Sequence, residues 1–342
     1  MCKKIIRCVC LTLVLLLLLT ACAACEPTLS GEPVSSGEPA VSALDSAQPA
    51  EPGDSPSPSP APQRTLTFLF FSDTQPDPET MDFSGTGELV RQAVGLHDNA
   101  ELMIFGGDTV DDGADETQWL AFHRAIGVSR EGLISAAVAG NHDNHDLLVG
   151  QFDYPVEAPG GPGEGFFYSL RLGPVFFLML DSNIMGAAKS TDIEWLQNEL
   201  RSEAAREADW RVAVMHHPMW PASDIPKDIQ RAEIMRAHFL PILEEYGVEL
   251  ILCGHQHMYS RTRPMRGESI SNDGGGIVQV IAASGGKASY TIGERGFIAV
   301  SDMAPNYLLV EVATDSVAIT AFDRAHNIID QIVITGVVAT PQ

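Results

Sequence analysis

Acidic, amide and imidazole side chains follow five apolar segments of this 342-residue chain, each where the segment ends. The first segment runs into Asp73, with Gln75 two residues later. The other four segments end at Asp108, at Asn141, His142 and Asp143, at His216 and His217, and at His255 and His257. Oxygen and nitrogen ligands of these types suit a borderline or hard divalent metal ion. Burying so many acids and imidazoles without a metal ion would leave unpaired charges at a large cost in free energy. The pattern therefore favours a metal site over ordinary loop residues.

The apolar segments themselves are predicted to be strands of an α/β domain. The predicted strands are 65–72, 102–106, 133–139, 166–172, 175–180, 211–215, 249–252, 276–282, 306–312, 317–322 and 328–334. Open α/β folds place their sites at the carboxyl ends of the strands, so the five groups should converge at one rim. Glycines directly before Asp108, Asn141 and His255 would let the backbone turn sharply beside a crowded centre.

Three helices are predicted between the early strands and in the middle of the chain. Segment 115–127 carries an apolar stripe of Trp119, Phe122 and Ile126. Segment 190–204 begins with a capping box formed by Thr191 and Glu194. Segment 233–247 contains Pro241, which should kink or divide it.

The order D-x-Q, GD, GNHD, HHP and GHxH resembles the calcineurin-like metallophosphoesterase superfamily, from about Leu66 to at least Met265. The segments GHQHMYSRTRP and GIVQVIAASGGK resemble the last motif and the following turn of the purple acid phosphatase branch. This resemblance implies an α/β fold, a two-sheet β-sandwich flanked by helices, with two metal ions at the strand ends.

The resemblance also implies a role for each residue. One metal site would comprise Asp73, Gln75, Asp108 and His257, and the other would comprise Asp108, Asn141, His216 and His255, so that Asp108 bridges the two. His142 would protonate the leaving oxygen or hold a phosphate oxygen, and Asp143 would orient the His142 ring.

Two departures from purple acid phosphatases bear on the metals. Thr74 and Asp111 stand where those enzymes have a glycine and a tyrosine ligand, so a ferric–phenolate centre is not expected. Gln75 stands where the superfamily usually has histidine, and its neutral amide is the weaker ligand. The expected cofactors are therefore two divalent ions chosen from Mn, Fe, Zn and Mg, with weaker binding at the Gln75 site.

The implied activity is hydrolysis of a phosphoric mono- or diester, with a small phosphate ester or nucleotide as substrate. A hydroxide held between the two ions would attack phosphorus, without a covalent intermediate. Tyr154, Trp220 and Tyr259 are candidates to stack on the substrate or, alternatively, to pack in loops. A catalytically impaired surface metal-binding lipoprotein is the alternative that Gln75 favours. A solute-binding lipoprotein is a second alternative, although the chain shows no duplicated lobe.

The amino-terminal residues predict export. Residues 1–22 combine basic residues with an apolar run, and Leu19 to Cys22 resembles a lipobox, which implies lipid on Cys22. An uncleaved anchor helix is the alternative. Residues 23–63 are rich in proline, serine and glutamate and are predicted to be a disordered linker, leaving 64–342 as the phosphoesterase domain. The expected location is the outer face of a bacterial cell membrane, where the lipid on Cys22 would anchor the chain.

Charge and cysteine content narrow the possible partners. The net charge is −24, and it would be −27 without the first 22 residues, which hold three basic residues and no acidic one. Such an acidic chain argues against nucleic acid or anionic lipid as its main partner. Five of the six cysteines precede residue 26, so Cys253 has no internal partner for a disulfide in the predicted domain.

Overall fold

The computed structural model describes residues 64–127, 133–154 and 165–336, and it contains two large mixed β-sheets flanked by helices. The predicted signal peptide and linker, residues 1–22 and 23–63, lie outside the described residues. The two-sheet α/β fold expected from the sequence is confirmed. Within the described ranges, no helix is both long and apolar enough to cross a membrane.

The first sheet has six strands in the order β15-β14-β13-β1-β2-β3. Its strands are β1 (Leu66–Phe71), β2 (Leu102–Phe105), β3 (Ile134–Ala137), β13 (Asn306–Val312), β14 (Ser316–Asp323) and β15 (Ile328–Thr335). Strands β1, β2 and β3 are parallel, and Phe71 pairs with Phe105, which pairs with Ala137. Because their carboxyl ends lie at one level, the residues that follow them emerge at one edge of the sheet.

The second sheet has seven strands in the order β12-β8-β11-β7-β6-β5-β4. Its strands are β4 (Tyr168–Leu172), β5 (Val175–Leu180), β6 (Trp210–Met215), β7 (Leu250–Cys253), β8 (Tyr259–Thr262), β11 (Val278–Ile281) and β12 (Ile298–Asp302). A small separate sheet pairs β9 (Met265–Arg266) with β10 (Ser269–Ile270). Strands β5, β6, β7 and β11 are parallel, so the histidines that follow β6 and β7 also share one edge.

Eight helices connect these strands within the described ranges. They are α1 (Ser84–Leu96), α2 (Glu116–Ile126), α3 (His145–Leu148), α4 (Ser182–Met185), α5 (Ser190–Leu200), α6 (Glu203–Arg206), α7 (Pro226–His238) and α8 (Leu240–Glu245). The predicted stripe of Trp119, Phe122 and Ile126 is the buried face of α2, and the division near Pro241 is confirmed because α7 and α8 meet at Phe239.

Packing of the two sheets against each other forms the main core. Phe68 of β1 meets Phe177 of β5 edge to face, with ring centroids 5.3 Å apart. A second apolar cluster covers the other face of the seven-stranded sheet, where Leu196 of α5 and Met235 of α7 pack with Ile251 of β7. The central strands β2, β5, β7 and β11 are therefore buried along their whole length, which accounts for their largely apolar sequences.

The predicted capping box is wrong, and several elements have no counterpart in the sequence prediction. Helix α5 is capped by Lys189, whose side chain makes no capping hydrogen bond, and the Thr191 hydroxyl donates to Asp192 instead.

Helix α1 and strands β8 and β12 were not predicted. Helix α1 contains three glycines in 13 residues, and glycine lowers helix propensity, which hides the helical pattern.

Candidate metal centre

Two clusters of ligand side chains lie at the carboxyl ends of the strands. One contains Asp73, Asp108 and His257, and the other contains His216, His217 and His255. In each cluster the candidate ligand atoms all lie within 4.8 Å of one another. The groups after β1, β2, β6 and β7 thus converge at one rim.

The backbone at four of these positions adopts the left-handed conformation. The φ angles are 48° at Asp73, 49° at Asp108, 73° at His255 and 50° at His257. Side chains other than glycine rarely adopt this conformation, and strained backbone of this kind concentrates at functional sites. Each of these residues lies two to four residues after the end of β1, β2 or β7.

Neighbouring glycines allow this crowding, as the sequence predicted. A Cβ atom at Gly140 would overlap the backbone nitrogen and carboxylate of Asp108, and one at Gly254 would overlap the side chains of Ser72 and Asp73. Any larger residue at either position would push a candidate ligand out of place.

Asp73 keeps one carboxylate oxygen free. Its Oδ2 accepts hydrogen bonds from the Ser72 hydroxyl at 2.9 Å and the His255 backbone N–H at 2.8 Å. Its Oδ1 is buried without a hydrogen-bond partner among the described residues and lies 3.5 Å from His257 Nε2. His257 Nδ1 donates to the Ala288 carbonyl at 3.0 Å, so Nε2 is the ring nitrogen that faces Asp73. The Oδ1 and Nε2 atoms are therefore placed to share either a proton or a metal ion.

The second cluster repeats this arrangement with two imidazoles. His216 Nδ1 donates to the Gly106 carbonyl at 2.9 Å, and His255 Nε2 lies 3.1 Å from Asp228 Oδ1. These bonds place the protons on those nitrogens and leave His216 Nε2 and His255 Nδ1 as lone-pair atoms. The two atoms lie only 3.3 Å apart. A proton or a metal ion must lie between them.

The Asp108 carboxylate joins the two clusters. Its Oδ2 lies 3.3 Å from His216 Nε2, and its Oδ1 accepts from the His142 backbone N–H at 2.8 Å. Burial opposes ionisation, but the charge of His216 and its hydrogen bond outweigh burial and hold the pKa of Asp108 below its usual value. Burial likewise opposes protonation of His216, yet Asp108 raises its pKa to about 9. A proton therefore occupies this position until a metal ion displaces it.

His217 joins the second cluster, although the sequence assigned metal binding only to His216 of this pair. Its backbone N–H donates to the Ser182 hydroxyl at 2.8 Å, and its Nδ1 lies 3.0 Å from the same oxygen. Burial, followed by the charges of His216 and His255, lowers the pKa of His217 well below its usual value. The ring is therefore neutral and retains a nitrogen lone pair.

Gln75 is fully buried, and neither its amide oxygen nor its amide nitrogen has a hydrogen-bond partner among the described residues. A buried amide left in this state costs about 1–3 kcal/mol. An oxygen ligand to a metal ion would offset that cost, so the orphaned amide beside Asp73 fits the predicted first metal site.

The predicted ligand Asn141 carries an amide, so it is not a member of the two clusters, which comprise carboxylate and imidazole groups. Its side chain is exposed and makes no hydrogen bond to any described residue. The flanking backbone is nonetheless fixed, because Gly140 N–H donates to Asp143 and His142 N–H donates to Asp108. Asn141 therefore lies at the rim, on a short segment that is held against the bridging carboxylate.

His142 is oriented by Asp111 rather than by Asp143. Its Nδ1 donates to the Asp111 carbonyl at 2.6 Å, and the Asp111 carboxylate, 3.6 Å away, forms an ion pair with Lys287. This leaves Nε2 as the ring atom available to a substrate, on a side chain that is 36% exposed.

Asp143 instead ties the two metal-binding loops together. Its carboxylate accepts from the backbone N–H groups of Asp108, Thr109 and Gly140. Burial and then the charge of Asp108 raise the pKa of Asp143 to about 7. The expected role of orienting His142 is therefore replaced by that of holding Asp108 and the 140–143 segment together.

The aromatic residues proposed to stack on a substrate pack inside the fold instead. Tyr259 and Trp220 are buried, and Tyr154 contacts Phe152, Phe166 and Tyr168. Tyr290 is the aromatic residue that lies against the site, with ring centroids 5.2 Å from His257 and 5.8 Å from His255. No motif in the sequence singled it out, because it lies in an irregular segment.

Comparison with known proteins agrees with this geometry. Residues 66–259 match the model of the calcineurin-like phosphoesterase family, which is more than half of the chain. The chain belongs to the calcineurin-like phosphoesterase family. Members of this family use divalent metal ions, in keeping with the two ligand clusters.

Individual relatives of this chain include phosphatases and a phosphodiesterase. It is 25% identical over 157 residues to purple acid phosphatase 15 of Arabidopsis thaliana, covering 44% of this chain and 29% of that one. It is 26% identical over 186 residues to the glycerophosphodiester phosphodiesterase GpdQ of Enterobacter lignolyticus, covering 53% and 64%. The chain thus spans less than two thirds of the length of these curated relatives.

Solved structures show the same fold. A purple acid phosphatase from yellow lupin (Lupinus luteus) seeds superimposes with a TM-score of 0.64 at 15% identity, over 79% of this chain and 54% of that one. The resemblance to the purple acid phosphatase branch that the sequence indicated is confirmed at the level of fold and family.

Asp228 is a residue of the site that the sequence motifs did not mark as a functional group. It begins the first turn of α7 and accepts from the His255 ring, which fixes the ring's tautomer and frees Nδ1. We expect Asp228→Ala to weaken Mn²⁺ binding about 10- to 100-fold, the usual effect of removing such a partner. Calorimetric titration of the metal-free protein measures this.

The matched control is Asp224→Ala, since Asp224 lies four residues earlier, before α7, forms an ion pair with Arg295 and is largely exposed. Equal metal affinity in the Asp228 and Asp224 variants would show that Asp228 does not support the centre.

Proposed function

We propose that the chain is a metal-dependent hydrolase of phosphate esters, with two divalent ions on either side of the Asp108 carboxylate. The observation that supports this most strongly is the convergence of lone-pair atoms on Asp108, with His216 Nε2 at 3.3 Å and the Asp73–His257 pair in the same ligand cluster.

Each ion has a proposed ligand set. Asp73, Gln75 and His257 would hold the first ion together with Asp108. His216 and His255 would hold the second ion with Asp108, and Asn141 would turn inward to complete it. The buried His217 would be a further nitrogen ligand for this second ion, since it lies in the same cluster as His216 and His255. Imidazole, carboxylate and amide donors suit Mn, Fe(II), Zn or Mg.

When bound, the ions would supply Lewis acidity and lower the pKa of a bound water, which would then attack phosphorus without a covalent intermediate. In its doubly protonated form His142 would donate a proton from Nε2 to the leaving oxygen, while its Nδ1–H stays bonded to the Asp111 carbonyl. Asp143 would hold Asp108 and the His142 loop in fixed relative positions through its three backbone hydrogen bonds.

The chain itself offers no thiolate nucleophile in the described domain. Cys253 is buried in β7, and burial raises the pKa of its thiol well above the usual value. Water activated at the strand-end rim is therefore the nucleophile that the geometry favours. The positive charge of two ions would also allow a phosphate to approach a chain whose net charge is strongly negative.

The test is a metal titration of the purified, metal-stripped protein with mono- and bis-p-nitrophenyl phosphate as substrates. We expect p-nitrophenol release that depends on added Mn²⁺, and the better ester identifies a monoesterase or a diesterase. Metal binding without release from either ester would contradict the proposal and favour the alternative of a metal-binding protein on a phosphoesterase scaffold.

We further propose that the chain is exported and anchored by lipid on Cys22 to the outer face of a bacterial cell membrane. The basic residues, apolar run and lipobox-like Leu19 to Cys22 support this location. We expect the protein to enter the detergent phase of a Triton X-114 extract and Cys22→Ser to leave it. Equal partitioning of the two proteins would contradict lipid attachment at Cys22.

A further inference from the structure

Lys287 lies in the same small cleft as two candidate ligands of the first metal ion, Asp73 and His257. Its side chain is 19% exposed, and its ammonium group forms an ion pair with the Asp111 carboxylate. Asp111 belongs to neither ligand cluster. The ligand sets proposed for the two ions therefore use neither the lysine nor the aspartate of this ion pair.

The backbone that carries Lys287 is held against the first metal site. The Gly286 N–H donates to the Gln75 carbonyl at 3.1 Å. On the other side of Lys287, the Ala288 carbonyl accepts from His257 Nδ1 at 3.0 Å. The two chain neighbours of Lys287 thus bond to predicted ligands, which fixes the base of the lysine side chain relative to the first site.

Asp111 connects Lys287 to the ring of His142. His142 Nδ1 donates to the Asp111 backbone carbonyl at 2.6 Å, and the Asp111 carboxylate lies 3.6 Å from the same nitrogen. The Asp111 N–H donates to Gln118 Oε1 of α2 at 3.0 Å, and the Gly113 N–H donates to the His142 carbonyl at 2.9 Å. Helix α2 therefore holds the backbone of Asp111, whereas Lys287 holds its side chain.

The Asp111 carboxylate is a second acceptor for the Nδ1 proton of His142. Hydrogen bonds to an ionised carboxylate are stronger than those to a neutral carbonyl oxygen, so a free carboxylate here would compete for that proton. The ion pair balances the charge of Asp111 and directs its carboxylate to the cleft that Lys287 lines. The His142 ring can then stay bonded to the backbone carbonyl, an acceptor that the fold holds in one place.

We propose that Lys287 is a positioning residue for the proton donor His142 and acts by restraining the Asp111 carboxylate. This inference rests on the proposed function, in which His142 Nε2 protonates the leaving oxygen. The step affected is the transfer of that proton as the bond between phosphorus and the leaving oxygen breaks. Lys287 itself contacts neither the substrate nor the reacting atoms in this account.

The test compares phenyl phosphate with p-nitrophenyl phosphate in the Mn²⁺-loaded protein and in Lys287→Met, or the matching diesters if these are the better substrates. Phenolate is the more basic leaving group, so its departure depends more on a proton donor. We expect Lys287→Met to lower kcat for phenyl phosphate about tenfold, and kcat for p-nitrophenyl phosphate less than about threefold, because the acid is misplaced while the metal centre is intact. KM for both esters should stay the same.

Three further variants separate positioning from a general effect on the fold. Lys287→Arg keeps the ion pair and should restore the rate with phenyl phosphate. Adding Asp111→Asn to Lys287→Met removes the competing carboxylate charge and should recover part of the lost rate, since the two residues act as a unit. Lys189→Met, the same substitution at an exposed lysine, is the control and should leave both rates unchanged.

An equal loss of kcat with both esters, or no recovery on adding Asp111→Asn, would overturn the inference while the proposed function stands. A raised KM for both esters would also overturn it, because Lys287 would then contact the phosphate directly.

If the unmodified protein hydrolyses neither ester, the proposed function fails, and NMR then tests the ring contact alone. In a ¹H–¹⁵N spectrum of histidine-labelled, metal-free protein, His142→Gln identifies the Nδ1–H signal of His142. We expect that signal to shift in Lys287→Met and not in Lys189→Met. An unchanged signal in Lys287→Met would show that Lys287 does not position the ring.

Discussion

Asp108→Asn is expected to reduce turnover of p-nitrophenyl phosphate at least about 1,000-fold, corresponding to about 4 kcal/mol of transition-state stabilisation. Asp108 belongs to the first ligand cluster and lies 3.3 Å from His216 Nε2 of the second, while its other carboxylate oxygen accepts from the His142 backbone N–H. A neutral amide in its place cannot balance two divalent ions. Asparagine also tolerates the left-handed backbone at this position, where φ is 49°, so the fold should persist.

Steady-state kinetics and circular dichroism of the purified variant test this expectation. Asp146→Asn, which changes an exposed acid in α3, is the control and should retain full turnover. Turnover by Asp108→Asn within tenfold of the unmodified protein, at saturating metal, would refute the bridging role.

Gln75→Leu is expected to have opposite effects on the metal-free and the metal-loaded protein. In the metal-free protein the buried Gln75 amide has no partner among the described residues, so an apolar side chain of similar size should raise the free energy of unfolding by about 1–3 kcal/mol. In the metal-loaded protein the same change removes a ligand, so Mn²⁺ affinity at the first site should fall about tenfold or more.

Chemical unfolding with and without Mn²⁺ measures both effects in one experiment. Gln230→Leu, a change at an exposed glutamine of α7, is the control for substituting leucine for glutamine. A Gln75→Leu protein that is less stable without metal, or that binds Mn²⁺ as tightly as before, would show that Gln75 is not a ligand.

The positions of the candidate ligands followed from the sequence because each lies directly after a buried parallel strand. Asp73, Asp108, His216 and His255 meet at one rim for the same reason that β1, β2, β6 and β7 run parallel in their sheets. The alternation of strands with helices predicted the α/β fold, and the glycines before the ligands predicted crowded turns at the strand ends.

Contacts between residues that are distant in the sequence could not be predicted from the motifs. Asp228 meets His255 only because α7 packs across the end of β7, and Tyr290 reaches both histidines of the last motif from an irregular segment. The ring of His142 binds a backbone carbonyl, which carries no sequence signal. The family resemblance implied that role for Asp143, but its carboxylate is engaged by three backbone N–H groups.

The most direct test of the central claim is a crystal structure of the protein grown with Mn²⁺, with anomalous scattering measured at the manganese edge. We expect two anomalous peaks on either side of the Asp108 carboxylate. One should contact Asp73, Gln75 and His257, and the other should contact Asn141, His216 and His255. A single peak at saturating Mn²⁺, or peaks remote from Asp108, would contradict a two-metal phosphoesterase centre.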